Sequence, residues 1–195
     1  DAVGVVPSPG KALEYIGGTS QAASYSNAIA YGDLVYFSGI MTSDPKTQPD
    51  PTRWFGSAVK SELRFIMQER FAPIAASAGC GIGDIAVAHF HLLNPIADLG
   101  PFRELVDELF PSNKPVFIVS ASSGLGSLPG RIEITPIAVR AGGTTKVVDI
   151  QPKDMPNGML DGPQAKRVGD FVYLSTQFAS DRFGQLGAAA PDLRT

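Results

Sequence analysis

The chain carries two histidines, His89 and His91, spaced two residues apart. On a β-strand that spacing places both imidazoles on one face, where a third donor would complete a transition-metal site. No other histidine exists and Cys80 is the sole cysteine, so the third ligand would have to be a remote carboxylate. Structural histidines lining a sheet face are the expectation, with no metal. Cys80 lies between Gly79 and Gly81 at what reads as a helix end, the setting of a small buried hydrophobe more than of a nucleophile. Ser122-Ser123-Gly124-Leu125-Gly126-Ser127 offers amides to an anion, yet it leads into a strand and lacks the helix N-terminus that makes phosphate loops effective. Among the charged residues, Arg131 and Glu133 fall on one expected strand and Arg103 on an expected helix. Solvated arginines and an ion-paired strand carboxylate are their plain readings.

The elements that position these residues begin with a hairpin. Ala28–Tyr31 and Leu34–Ser38 are rich in strand-favouring residues, and Gly32-Asp33 is the polar break between them. Both faces of the second arm are apolar, Leu34 and Tyr36 against Val35 and Phe37, which predicts a strand buried on both sides. Gly39 ends it without a side chain, where another backbone or a ligand can approach closely. A short strand at Leu13–Ile16 precedes the hairpin, and the prolines of Met41–Arg53 mark a loop. Val59, Leu63, Ile66, Met67, Phe71 and Ile74 then form one helical stripe, which Pro73 should kink or restart. A strand at Ile85–Leu93, a helix from about Gly100 to Phe110, and strands at Val116–Ser120 and Arg131–Val139 follow. This order predicts an α+β domain, a mixed β-sheet with two helices packed on one face.

The motif Tyr-Ser-x-Ala at Tyr25, followed by Gly32-Asp33 and Val35-Tyr36-x-Ser38-Gly39, resembles the N-terminal signature of the Rid family, the YjgF-type reactive-intermediate deaminases. The order of elements agrees from about Ser20 to Val139. The resemblance implies a chorismate-mutase-like fold, a trimer or pseudo-trimer barrel with ligand clefts between units, and hydrolytic deamination of small imine or enamine intermediates without organic cofactor or metal. It implies catalytic roles for Tyr25 and Glu133 and a substrate-binding strand end at Ser38 and Gly39. The arginine that would bind a substrate carboxylate is missing: Phe117 stands in its place, and Val119 where a cysteine is frequent. A phenyl ring cannot make two parallel charge-assisted hydrogen bonds to a carboxylate, so Arg103 and Arg131 become the candidate anchors. Two alternatives stay open: a non-catalytic ligand-binding or structural module, and a hydrolase or lyase for a neutral or cyclic molecule suited to Phe117.

The stretch 141–161 is polar and rich in glycine and proline and reads as a linker, closing a first domain at 1–140. Gly169-Asp170-Phe171-Val172-Tyr173-Leu174-Ser175 then repeats Gly32–Ser38 at a constant offset of 137 residues, the separation of Gly32 from Gly169. Residues 162–195 therefore read as an incomplete second Rid-like repeat that needs a homo-oligomer or a second chain to complete it. A net charge of −3 without a Lys/Arg cluster gives no electrostatic case for nucleic acid. No apolar run is long enough for a bilayer. A small-molecule ligand and a cytoplasmic location are the expectations, with any removed signal peptide no longer visible in a chain that begins at Asp1.

Overall fold

The computed structural model describes residues 12–19, 26–42, 57–125 and 130–177. Tyr25, Gly126 and Ser127 lie outside them. Six strands form one mixed sheet: β1 (Leu13–Thr19), β2 (Ser26–Tyr31), β3 (Leu34–Phe37), β4 (Ile85–Leu92), β5 (Val116–Ala121) and β6 (Ile132–Val139), in the order β1-β2-β3-β6-β4-β5. Only β4 and β5 run parallel, joined by the crossover helix α3 (Pro95–Leu109). The β2–β3 turn has Gly32 at φ 60°, the left-handed conformation that glycine adopts without steric cost at the first corner of a tight hairpin.

Alternation along the strands separates two faces. Ala28, Val35, Phe37, Phe90, Leu92, Phe117, Ile132 and Ile134 bury against the helices. Leu34, Tyr36, Val87, Ile118 and Ile137 point the other way. The first helical layer runs from Ala58 to Ser77 as α1 (Ala58–Phe65), a π turn (Ile66–Phe71) and α2 (Ala72–Ser77). Val59, Leu63, Met67, Phe71 and Ala75, all fully buried, recur every four positions, with Ile66 buried beside them. A step of four overshoots the α-helical turn by about 40° each time, and the wider π turn takes back part of that drift. The Ala72 N–H donates to Met67 O, five residues back. The break expected at Pro73 therefore takes the form of a π turn just before the proline, which has no N–H to offer. Helix α3 begins five residues before the expected Gly100: Asn94 Oδ1 accepts the Ala97 N–H at 3.3 Å and Pro95 occupies the first turn.

A second sheet of three strands follows: β7 (Val147–Ile150), β8 (Ala165–Val168) and β9 (Phe171–Leu174). It repeats β1-β2-β3, with Val147 opposite Val168 as Leu13 is opposite Tyr31, and Gly169 at φ 59° where Gly32 has 60°. The linker expectation for 141–161 is thus corrected. β7 lies inside that stretch, and its approach is tied to the first hairpin. One oxygen of Asp33 accepts from the amides of Thr144 and Thr145, at 2.7 and 2.9 Å, and from both threonine hydroxyls. These bonds, Thr145 foremost, hold the Asp33 carboxyl below its usual pKa. Glycines and threonines read as linker because nothing local reveals that the receptor is an aspartate 111 residues upstream.

The second sheet lays Val168 and Tyr173 on the face carrying Leu34, Tyr36, Val87 and Ile118. Tyr173 packs beside Tyr36, its own repeat counterpart, and burial, and then that neighbour, raises its pKa. The opposite face of β9 is uncovered among the described residues, with Val172 54% and Leu174 59% exposed. We expect Asp33→Ala to speed amide hydrogen exchange across Val147–Ile150 while leaving β4 and β6 protected. Unchanged protection of β7 would show that the Asp33 contacts are dispensable.

Candidate functional site

Strand β3 ends in a fixed backbone geometry. The Ser38 amide donates to Asn27 O at 3.0 Å and its hydroxyl to Ser26 O at 2.6 Å. Ile40 then exchanges two backbone bonds with Ile134, of 2.8 and 3.1 Å. Gly39, between them, is exposed, and its amide has no partner among the described residues. The Glu133 carboxylate rests directly on it: a Cβ at position 39 would collide with Glu133 Oε1 and lie 2.9 Å from Cδ. Close approach of a carboxylate, and no turn requirement, accounts for glycine here: a larger residue would push the Glu133 carboxylate off this position. The expected strand end and glutamate are therefore together. A cavity of about 290 Å³ opens beside them, lined by Asn27, Ser38, Gly39, Met41, Arg70 and Ile74 among others.

Glu133 lies opposite His91 in the β4–β6 pairing. His91 Nδ1 and His89 Nε2 converge on the Ser120 hydroxyl at 2.9 and 3.1 Å, their rings 4.0 Å apart. The hydroxyl has one proton, and Phe90 O at 3.5 Å is a further acceptor for it, so at least one of the two imidazoles donates to the oxygen. Burial, and then neighbouring His91, pushes His89 down to about 4. No third metal-ligating side chain joins this pair among the described residues.

The remaining expected residues stand elsewhere. Arg131 makes a bidentate ion pair with Asp98 (2.8–3.2 Å), whose side chain is only 7% exposed, and its amide donates to the buried Glu62 at 2.7 Å. Burial raises the Glu62 pKa. Arg131 thus clamps the start of β6 to α1 and α3. Arg103 pairs with Asp161. Neither guanidinium is an uncommitted ligand anchor, because each meets an aspartate that sequence spacing did not reveal.

Phe117 does not line an open cleft. It is fully buried, edge-on to Phe110 with centroids 5.6 Å apart. Gly162 closes the other side, where a Cβ would come within 2.9 Å of the Phe117 ring. Beside it the Thr176 amide donates to Phe117 O at 3.1 Å, the Val119 amide to Thr176 Oγ1 at 2.9 Å, and the Ser175 hydroxyl to Phe117 O at 3.1 Å. At the repeat offset Gly162 answers to Tyr25, Ser175 to Ser38 and Thr176 to Gly39. The junction of β5 with the second sheet therefore gathers the counterparts of the first unit's strand-end residues, and its contents are a phenyl ring, a glycine and a capped amide. Leu160, 5% exposed, packs into the same core. A separate cavity of about 620 Å³ between the units has its cations committed, Lys166 to Asp149 and Arg140 to Glu14.

Comparison with known proteins agrees with this architecture. No family model and no curated protein sequence matches the chain. Solved structures do. Yeast Mmf1 is 21% identical with a TM-score of 0.56, covering 67% of this chain and 100% of its own. A Mycobacterium tuberculosis member of the YjgF/YER057c/UK114 family is 18% identical with a TM-score of 0.54, covering 66% and 99%. An Entamoeba histolytica protein described as a putative endoribonuclease L-PSP is 24% identical with a TM-score of 0.54, again covering 66% and 99%. The fold is thus that of the YjgF/YER057c/UK114 group, the fold that the Rid resemblance implied. Among the described residues no helix is long and apolar enough to cross a membrane.

Sequence reading missed Arg70 and Asn27 as pocket residues. Arg70 lies on the π turn, and an α-helical phase carried through Pro73 would misplace it. Two outcomes follow from these placements. Arg131→Ala strands the carboxylate of Asp98 and should lower stability by about 2 kcal/mol, more than a surface arginine would; a loss below about 0.5 kcal/mol in denaturant melts would contradict the clamp. His89, depressed below its unfolded value of 6.5, keeps its full stabilising effect above pH 6.5 and loses it as the pH falls toward 4. The slope is at most about 1.4 kcal/mol per pH unit, reduced by partial solvent access. Denaturant midpoints should fall from pH 7 to pH 5 in the parent and flatten in His89→Gln.

Proposed function

We propose that the Ser38–Gly39–Glu133 strand end is the ligand site of a Rid-type hydrolytic deaminase acting on small imine or enamine intermediates, with Tyr25 given the catalytic tyrosine role that the family resemblance implies. The observation that carries this reading is the Glu133 carboxylate seated on a side-chain-free, exposed Gly39 beside a pocket. A carboxylate held there can order a water and take its proton as the water attacks an imine carbon, which is general-base catalysis. The protonated Glu133 then gives that proton to the nitrogen, and the tetrahedral adduct collapses to a carbonyl as the C–N bond breaks and ammonia leaves. Arg70, in the pocket wall, is the cation we assign to a substrate carboxylate, in place of Phe117, Arg103 or Arg131. The unit works within a trimer or pseudo-trimer, in the cytoplasm, without nucleic acid.

A non-catalytic ligand-binding module is the second reading. The sealed junction at Phe117 favours it, since one of the two strand-end positions has been given over to packing.

The test is loss of freshly generated 2-iminopropanoate or 2-iminobutanoate, followed against a buffer control. We expect acceleration by the parent, suppression in Glu133→Gln with an intact fold, and weakening of carboxylate binding by about 1.5–3 kcal/mol in Arg70→Ala. No acceleration by the parent would remove the deaminase reading, and binding of the acid product without turnover would favour the module. Full activity in Glu133→Gln would return Glu133 to a structural role.

A further inference from the structure

Among the described residues, two surfaces of this chain are incomplete in the same sense, each lacking what its repeat counterpart has. In the second unit the Thr176 amide finishes on the outer edge of β5, donating to Phe117 O. Its counterpart Gly39 follows the same path: Ser38 N–H donates to Asn27 O at 3.0 Å and Ser175 N–H to Gln164 O at 2.9 Å, both partners related by the repeat offset. The Gly39 amide nevertheless points at no acceptor among the described residues. In the first unit Val35 and Phe37 lie under the helical layer Ala58–Ser77, 0% and 4% exposed. Their counterparts Val172 and Leu174 are 54% and 59% exposed.

One occupant satisfies both surfaces. We propose that the chain is completed by the remainder of a second unit of the same architecture, whose helical layer covers Val172 and Leu174 and whose β5-type edge receives the Gly39 amide. Another copy of this chain's first unit cannot serve, because its β5 edge is already taken: Thr176 of the same chain occupies Phe117 O and the Val119 amide. The assembly is therefore built from unlike units. The two junctions differ in kind, one sealed by Phe117 and Gly162, the other open beside Glu133. This assignment does not depend on which reaction the site performs.

The test uses the full chain and a fusion in which residues 57–139 are repeated after residue 177, supplying a helical layer and a second β5. By light scattering at low micromolar concentration the full chain should have the mass of one chain, 20.5 kDa. It should also bind a hydrophobic dye and exchange the Gly39 amide rapidly. In the fusion, dye binding should be lost and exchange at Gly39, Val172 and Leu174 should slow at least tenfold. The proposal is overturned if the full chain alone forms a closed trimer with Gly39 protected, since copies of the chain would then fill the edge. It is also overturned if the fusion leaves Gly39 as fast as in the parent. If the fusion fails to fold, Val172→Lys/Leu174→Lys in the full chain decides the matter. Retained structure with lost dye binding upholds an uncovered face, and collapse of β7–β9 shows the face already covered.

Discussion

An edge strand presents a row of unpaired backbone groups that must be met by something. For β5 that something comes from the same chain, through Thr176 and Ser175, and much of the structure is arranged to deliver those two residues. The Asp33 carboxylate fixes where the chain turns into β7. The β7–β9 sheet sets the direction of β9, and Val168 and Tyr173 hold that sheet on the face opposite the helices. Without this capture the apolar back of the six-stranded sheet around Val87 and Ile118 would face water, and at about 25 cal/mol per Å² a few hundred Å² of such surface is worth several kcal/mol.

The same capture decides which chemistry the chain can offer. A cleft built at β5 would draw on Phe117 and Val119, and here the ring is core and the amide is capped. The opposite strand end keeps a glycine under a carboxylate beside an open pocket. The apparent loss of an arginine at Phe117 is thus a statement about the sealed junction, and it leaves the surroundings of Glu133 untouched.

The features legible in sequence were those with local causes. Alternating apolar residues gave β3 and its double burial, Gly32 its turn, and the constant offset the second hairpin. The features that escaped had distant causes. Asp33 sits 111 residues from the threonine it holds, and Asp98 and Asp161 answer arginines 33 and 58 residues away. The start of α3 had a local cause: Asn94-Pro95 is a helix-start signal, and Gly100 and Pro101 are both accommodated within the helix that follows it. The π turn had no signature beyond a four-residue repeat of buried positions.

Gly162 packed on Phe117 bears on how such a chain can vary. In a ring of identical units every substitution is repeated at each junction, so replacing a catalytic residue with a packing residue abolishes every site together. Joining two unequal units in one polypeptide removes that coupling. A glycine at 162 and a threonine at 176 alter one junction and leave Gly39 and Glu133 as they were. One junction is free to become mortar while the other stays open, and the two can then diverge under separate demands.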